Sequence, residues 1–286
     1  MSAIAIGAVA APFDRDVEAG FARIERILDD ARDLRLDVVV LPEAAIGGYV
    51  ADLHGVAEPP PALDPDGPEV RRLVDLAGDM VVCAGFCEAA GDVRYNAAVC
   101  VGGGEVLGRY RKVHQPLAEG SLYGAGDAFT AFDTPVGRMG LLICWDKGFA
   151  EAARTLALDG AEVIACLSAW PASRTNRAPR LEDDRWTRRF DLFDQARALD
   201  NQVVWAASNQ TGSFGSLDFV GRAKVVGPGG DILAATGTGE GLATARIDVQ
   251  AELAAHRAGM CNLRDRRPDA YRLGEWRQPE TSGASA

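Results

Sequence analysis

The sequence predicts an α/β fold in one domain, and three observations carry that expectation. Strand-like and helix-like segments alternate along most of the chain, and no linker, internal repeat or low-complexity block interrupts residues 1–275. The chain has 286 residues, 48% of them hydrophobic and 25% charged, which is ordinary for a globular protein. A chain of this length buries a full core without disulfide or metal staples. Residues 276–286, rich in small and polar side chains, read as a disordered tail.

Each element follows from its own residues. Ala3 to Val9 reads as a buried strand closed by Pro12. Val17, Phe21, Ile24, Leu28 and Ala31 recur at steps of three and four, one face of an amphipathic helix. Asp37 to Leu41 is a second strand, stopped by Pro42. A proline-rich loop from Glu58 to Pro68 leads into a helix carrying Val70, Leu73, Val74 and Leu76. Asn96–Val101 and Glu105–Tyr110 flank three glycines, Gly102 to Gly104, and form a hairpin. The strand Gly140–Ile143 runs into Cys144 and then a helix through Ala150, Ala153, Leu156 and Leu158, ended by Gly160. A strand from Glu162 to Leu167, a helix from Trp186 to Leu199 and a strand from Val203 to Ala207 follow. A last hairpin turns at Gly227-Pro228-Gly229-Gly230.

Composition excludes several functions. Thirty basic against 41 acidic residues leave a net charge of −11, which argues against nucleic acid or an anionic membrane surface as partner. The longest apolar runs are strand-sized, far short of the roughly 20 residues that span a bilayer. The first residues lack the basic start of a signal peptide, so the expected location is the cytoplasm. Six cysteines are spread too thinly for a disulfide framework. His54, His114 and His256 lie far apart, and Cys83 and Cys87 have no second pair, so neither metal nor zinc site is expected. Gly237-x-Gly239-x-Gly241 leads towards a strand and is no dinucleotide fingerprint, and Gly-x-Ser-x-Gly is absent. No cofactor is expected.

Three stretches place a reactive side chain at the end of an apolar strand. In Val38-Val39-Val40-Leu41-Pro42-Glu43 the carboxylate is either a partly buried general base or a helix-capping acid facing solvent. In Gly108 to His114, Lys112 is either a buried ammonium that steadies an oxyanion or part of a solvated strand end. His114 admits a cysteine–histidine dyad or a structural role. In Leu141 to Glu151, Cys144 precedes a helix whose N-terminus would favour thiolate, or else it is an inert core cysteine.

Taken together, the Leu-Pro-Glu43, Tyr-Arg-Lys112-x-His and Ile-Cys144-Trp-Asp motifs resemble the nitrilase superfamily of carbon–nitrogen hydrolases. Their gaps, 69 and 32 residues, are ordinary for that family. Tyr95-Asn96, Glu119 before Asp127, Glu151-Ala152-Ala153-Arg154, Leu158-x-Gly160-Ala161-Glu162 and Arg266-Arg267-Pro268-x-x-Tyr271 extend the likeness over residues 3 to 273. The resemblance implies a four-layer α-β-β-α sandwich, paired as a homodimer or a higher homo-oligomer. It also implies Glu43 as base, Lys112 as oxyanion partner, Cys144 as nucleophile, and Glu119 as the group that holds Lys112 or orients water. The N–H of Trp145 would complete the oxyanion site.

Cys-Trp-Asp is similar to the amidase and carbamoylase branches, whereas nitrile-cleaving members commonly have Cys-Trp-Glu. Ala150 and Lys147 depart from the usual pattern beside the nucleophile. The expected activity is hydrolysis of a small amide or N-carbamoyl compound. The alternatives are a nitrilase and a catalytically silent scaffold. Tyr49, Tyr123, Trp145, Trp170 and Asn209 are pocket candidates by position, each equally readable as packing. The charge-rich stretch Arg174 to Arg189 reads as a solvated loop and helix face. Arg174 is its candidate for a substrate carboxylate.

Overall fold

Strand residues that alternate between two apolar surfaces set the architecture. In β1 (Ile4–Ala10), Ile6, Ala8 and Ala10 join one buried cluster, while Ala5 and Val9 join another. In β2 (Val38–Val40), Val38 and Val40 share the first cluster and Val39 the second. A strand covered on both faces has no polar side, which is why these segments read as unbroken hydrophobic runs. The computed structural model describes residues 3–55 and 58–274, so the tail at 276–286 lies outside the described residues.

The first half continues with α1 (Val17–Asp33), α2 (Pro68–Ala77), β3 (Val81–Ala90), β4 (Val93–Gly102) and β5 (Glu105–Arg111). The second half holds β6 (Phe132–Thr134), β7 (Gly137–Ile143), α3 (Ala150–Leu158), β8 (Val163–Leu167), α4 (Arg185–Asn201) and β9 (Val204–Ala207). After it come β10 (Ser213–Phe214), β11 (Leu217–Asp218), β12 (Lys224–Val226), β13 (Ile232–Ala235), β14 (Gly241–Ile247) and α5 (Val249–Arg257). One six-stranded sheet has the order β14-β1-β2-β3-β4-β5, and the other β13-β12-β9-β8-β7-β6. In each, a parallel trio forms the centre: β1-β2-β3 in one, β7-β8-β9 in the other.

Helices α1 and α2 bury Phe21, Ile24, Leu28, Val70 and Leu73 against the outer face of the first sheet. Helices α3 and α4 cover the second sheet, and the inner faces of the two sheets meet in the largest core cluster. This is the α-β-β-α sandwich. The helix from Val17 matches the apolar stripe read from sequence, and its Asp16 cap accepts a hydrogen bond from the Ala19 N–H at 3.0 Å. The glycine hairpin turns at Gly103 and Gly104, both at positive φ, while Gly102 stays in β4.

The fold brings the carboxyl ends of the central strands to one edge, the usual place for a site in α/β sheets. Asn209, past β9, exchanges backbone hydrogen bonds with Ala11 and Val9 at 3.3 and 3.1 Å, joining the sheets there. The Glu43 N–H, past β2, donates to the Ser168 carbonyl, past β8, at 3.3 Å.

Candidate active site

The Glu43 loop is fixed by close backbone approach. Pro42 has no N–H and ends the strand ladder. The Glu43 carbonyl then accepts from Gln210 Nε2 at 2.9 Å. Gly85 on β3 makes room for it: a Cβ there would lie 2.5 Å from the Ala44 nitrogen and 3.0 Å from the Glu43 Cα. The carboxylate is fully buried and every contact is a donor. Oε1 accepts from Asn96 Nδ2 at 2.7 Å and Lys112 Nζ at 2.8 Å, and Oε2 accepts from the Ala169 N–H at 2.7 Å.

Lys112 leaves the end of β5, where its own N–H donates to the Asn96 carbonyl at 2.8 Å. Its ammonium also donates to Glu119 Oε1 and Oε2 at 3.0 and 2.9 Å, so it bridges two buried carboxylates. Burial works against the charged lysine, but the charges of Glu119 and Glu43 outweigh it and hold Lys112 well above its usual range. Burial, with the Glu43 charge added, pushes Glu119 up to about 7 against the pull of Lys112. The Tyr49 hydroxyl donates to Glu119, and burial raises that phenol further.

Cys144 stands where β7 ends, at φ +49° and 4% exposed. Burial first, then the Glu43 charge, pushes its thiol well above the usual range, with Lys112 and the Ala169 N–H opposing. The thiolate expected from a helix N-terminus is therefore corrected. A 3₁₀ turn, Cys144–Gly148, separates the cysteine from α3, and desolvation dominates what remains. The first N–H groups of such a turn have no partner within it, which leaves the Trp145 amide suited to an oxyanion.

Asp146 ties this turn down. Its Oδ2 accepts from the Ile143 N–H at 3.0 Å and the Tyr110 hydroxyl at 2.7 Å, and its Oδ1 from the His114 N–H at 3.0 Å. His114 Nδ1 lies 2.9 Å from the same oxygen, and its ring stacks on Phe149 at 3.6 Å. The histidine belongs to this scaffold and forms no dyad with Cys144. Lys147 does not enter the pocket either: it is fully buried, with Nζ 2.6 Å from Asp194 Oδ1.

Cys144 opens onto a cleft of about 560 Å³ lined by Tyr49, Trp145, Trp170, Trp186 and Leu117 on its apolar side. Arg174, Arg177 and Arg185 line it as well, so part of the stretch read as solvated faces the cleft. Tyr123 and Asn209 are not among its lining residues. Tyr123 packs in a buried cluster with Tyr49, and Asn209 binds the Trp170 N–H at 2.7 Å and the Gly221 carbonyl at 2.8 Å. Sequence reasoning missed Trp186 in the cleft, Asn96 and the Ala169 N–H on Glu43, and the hub role of Asp146. Asn96 and Asp146 had a signal, their places in the Tyr95-Asn96 and Cys144-Trp-Asp motifs, but neither motif showed what they bind. Among the described residues, no three His, Cys, Asp or Glu side chains are grouped to hold a metal, and no helix is long and apolar enough to cross a membrane.

The chain is similar to known proteins over most of its length. A family model described as carbon-nitrogen hydrolase matches residues 4–256. A nitrilase of Pyrococcus abyssi is 32% identical over 237 residues, covering 81% of this chain and 84% of that protein. An N-carbamoylputrescine amidase of Solanum lycopersicum is 31% identical over 280 residues, 90% of each chain. The crystal structure of a carbon-nitrogen hydrolase from Helicobacter pylori G27 matches with a TM-score of 0.80 at 25% identity, over 94% of this chain and 97% of that one.

Proposed function

Because the chain belongs to the carbon–nitrogen hydrolase family, within the nitrilase superfamily, we propose that it is a cysteine amidohydrolase. Its substrate is a small amide or N-carbamoyl compound, cleaved at a non-peptide C–N bond through a thioester. The observation that carries this reading is the buried ammonium of Lys112 bridging Glu43 and Glu119 beside a cysteine that opens onto the cleft.

Glu43 takes the Cys144 proton as sulfur attacks the carbonyl carbon, and the carbonyl electron pair moves onto oxygen. Lys112 and the Trp145 N–H face that oxyanion. As the C–N bond breaks, the departing nitrogen takes the proton back from Glu43. Water then gives a proton to Glu43 and attacks the thioester, and Cys144 leaves with that proton. Glu119 holds Lys112 throughout. A thiol pushed upward by burial needs such a base at every turnover, which suits a carboxylate fixed by three donors.

The nitrilase reading is supported by the names of several relatives, among them the Pyrococcus protein, whose identity nearly equals that of the amidase. Cys-Trp-Asp favours the amide. Ammonia release from matched amides, N-carbamoyl compounds and nitriles, with Cys144→Ala as control, separates the two. Release from nitriles alone would replace the amidase reading, and none from any class with an unreactive Cys144 would favour a silent scaffold.

An acidic substrate is a further part of the proposal, although Asp52 and Asp218 line the cleft beside Arg174, Arg177 and Arg185. Arg177 pairs with Asp218 and Arg185 donates to Thr175, whereas Arg174 makes no ion pair among the described residues. Arg174→Ala is expected to raise KM for carboxylate-bearing substrates roughly 10- to 100-fold, the worth of a charge-assisted hydrogen bond. An unaltered KM removes Arg174 from that role. A homodimer is part of the same proposal, supported by Leu192 and Leu199 on α4 and Leu158 on α3, exposed by 64%, 51% and 50%.

A further inference from the structure

A cluster of buried charge that the chemistry above does not use lies behind the nucleophile turn. Lys147 and Lys224 are both fully buried and share one carboxylate, Asp194, at 2.6 and 2.8 Å. Their ammonium groups lie 3.7 and 3.8 Å from the Phe190 ring centroid. Trp205 Nε1 donates to the same Asp194 oxygen as Lys147, at 2.9 Å. Asp191, less buried, meets Lys224 at 3.2 Å and Arg222 at 2.7 Å.

The two lysines are alike in burial and partner but differ in place. Lys224 sits on β12, away from the turn. Lys147 is part of the Cys144–Gly148 turn and is tied to α4 twice: its side chain reaches Asp194, and its carbonyl accepts from Arg197 Nε at 2.9 Å. The other half of the turn is held by Asp146 to β7 and to the segment after β5. Cys144 at φ +49° adopts a conformation that L side chains avoid, and such a residue persists only where its surroundings over-determine it. Well-packed apolar side chains can stabilise a core as well as a buried ion pair, so the pair's distinctive contribution is one fixed geometry.

We propose that Lys147 is a positioning residue for Cys144: its ion pair with Asp194 clamps the turn onto α4 and thereby sets the sulfur and the Trp145 N–H against the cleft. The charges agree with this. Asp194 is held below the usual carboxylate range, where burial is outweighed by Lys147 and Lys224, and Lys147 is raised by Asp194 despite its own burial. The proposal rests on the reading of Cys144 as nucleophile.

Lys147→Met and Lys224→Met test it as a pair. Each removes one buried cation from Asp194 and leaves the other, so a cluster that only holds the fold treats them alike. Two rates are read in the full-length protein: turnover of an amide that the wild type hydrolyses, and alkylation of Cys144 by iodoacetamide, followed by peptide mass. Expected for Lys147→Met is a roughly 10- to 100-fold loss in kcat, the size of effect that follows small misplacement of a reacting group. KM should stay within about twofold and alkylation should slow in parallel, while Lys224→Met keeps both rates within about twofold of wild type.

Equal rates in both variants and the wild type would overturn the proposal, as would equal losses in both that follow their loss of Tm. If Lys147→Met does not fold, Asp194→Asn, which keeps the side-chain volume, must slow alkylation of Cys144; an unchanged rate overturns the clamp. Hydrolysis that survives Cys144→Ala defeats the nucleophile reading itself, whatever Lys147→Met does.

Discussion

Cys144 and Glu119 show how burial sets the chemistry residue by residue. Burial and the Glu43 charge push the Cys144 thiol upward, so in the proposed mechanism its attack relies on the base and not on a preformed thiolate. Cys144→Ala is expected to lower turnover by roughly 10⁴-fold or more, since removing a nucleophile disables the group it works with. Glu119 carries the complementary test. Its pKa is raised from 4.5 to about 7, so its contribution to stability is fully present below the ordinary carboxylate range and is lost as pH rises through about 7. Glu119→Gln is neutral at every pH. Its Tm relative to wild type is therefore expected to rise between about pH 5 and about pH 8, and a difference that falls over that range would contradict the raised pKa.

Glu43, Lys112 and Cys144 were legible because each ends or follows an apolar run and sits in a recognisable motif. The role of Asp146 was not, because its partners Tyr110 and His114 come from more than thirty positions away and only the fold brings them together. His114 was ambiguous for the same reason: a histidine beside a buried carboxylate looks, in sequence, like one beside a thiol.

Among elements, the short turn after β7 and the loop after β2 matter most. The helix expected through Ala150, Ala153, Leu156 and Leu158 runs from Ala150 to Leu158, and a 3₁₀ turn takes up the residues between it and β7. That turn was invisible to a 3.6-residue pattern. Helix α5 went unread because only Val249 and Leu253 face the core, too few to show a period, although Asp248 caps it at 3.1 Å from the Ala251 nitrogen. Gly85 marks a closer constraint. Gly85→Ala would press a methyl group on Ala44 and Glu43, with an expected cost of about 1–3 kcal/mol in stability. Displacement of the Glu43 carboxylate should also lower kcat by at least about 10-fold. Denaturant melts and steady-state rates on the same sample check both, and full activity would show that the loop tolerates the shift.

At the scale of the molecule, two parallel trios placed face to face bring strand ends from both halves to one edge. The layer order came from the family resemblance. Neither periodicity nor composition reveals that β14 pairs with β1 across almost the whole chain, from Ile4 opposite Ile247 to Ala10 opposite Gly241. The proposed dimer belongs here. Replacing Leu192 and Leu199 together with glutamate is expected to shift the sedimentation coefficient from dimer to monomer, and an unchanged coefficient would place any interface elsewhere. The central chemistry is tested most directly by acid-quenching the enzyme during turnover of an amide and weighing the peptide that carries Cys144. A mass increase equal to the acyl or carbamoyl group, on that peptide alone and absent from Cys144→Ala, is the expected result. Turnover with no adduct on Cys144, persisting in Cys144→Ala, would contradict the covalent mechanism.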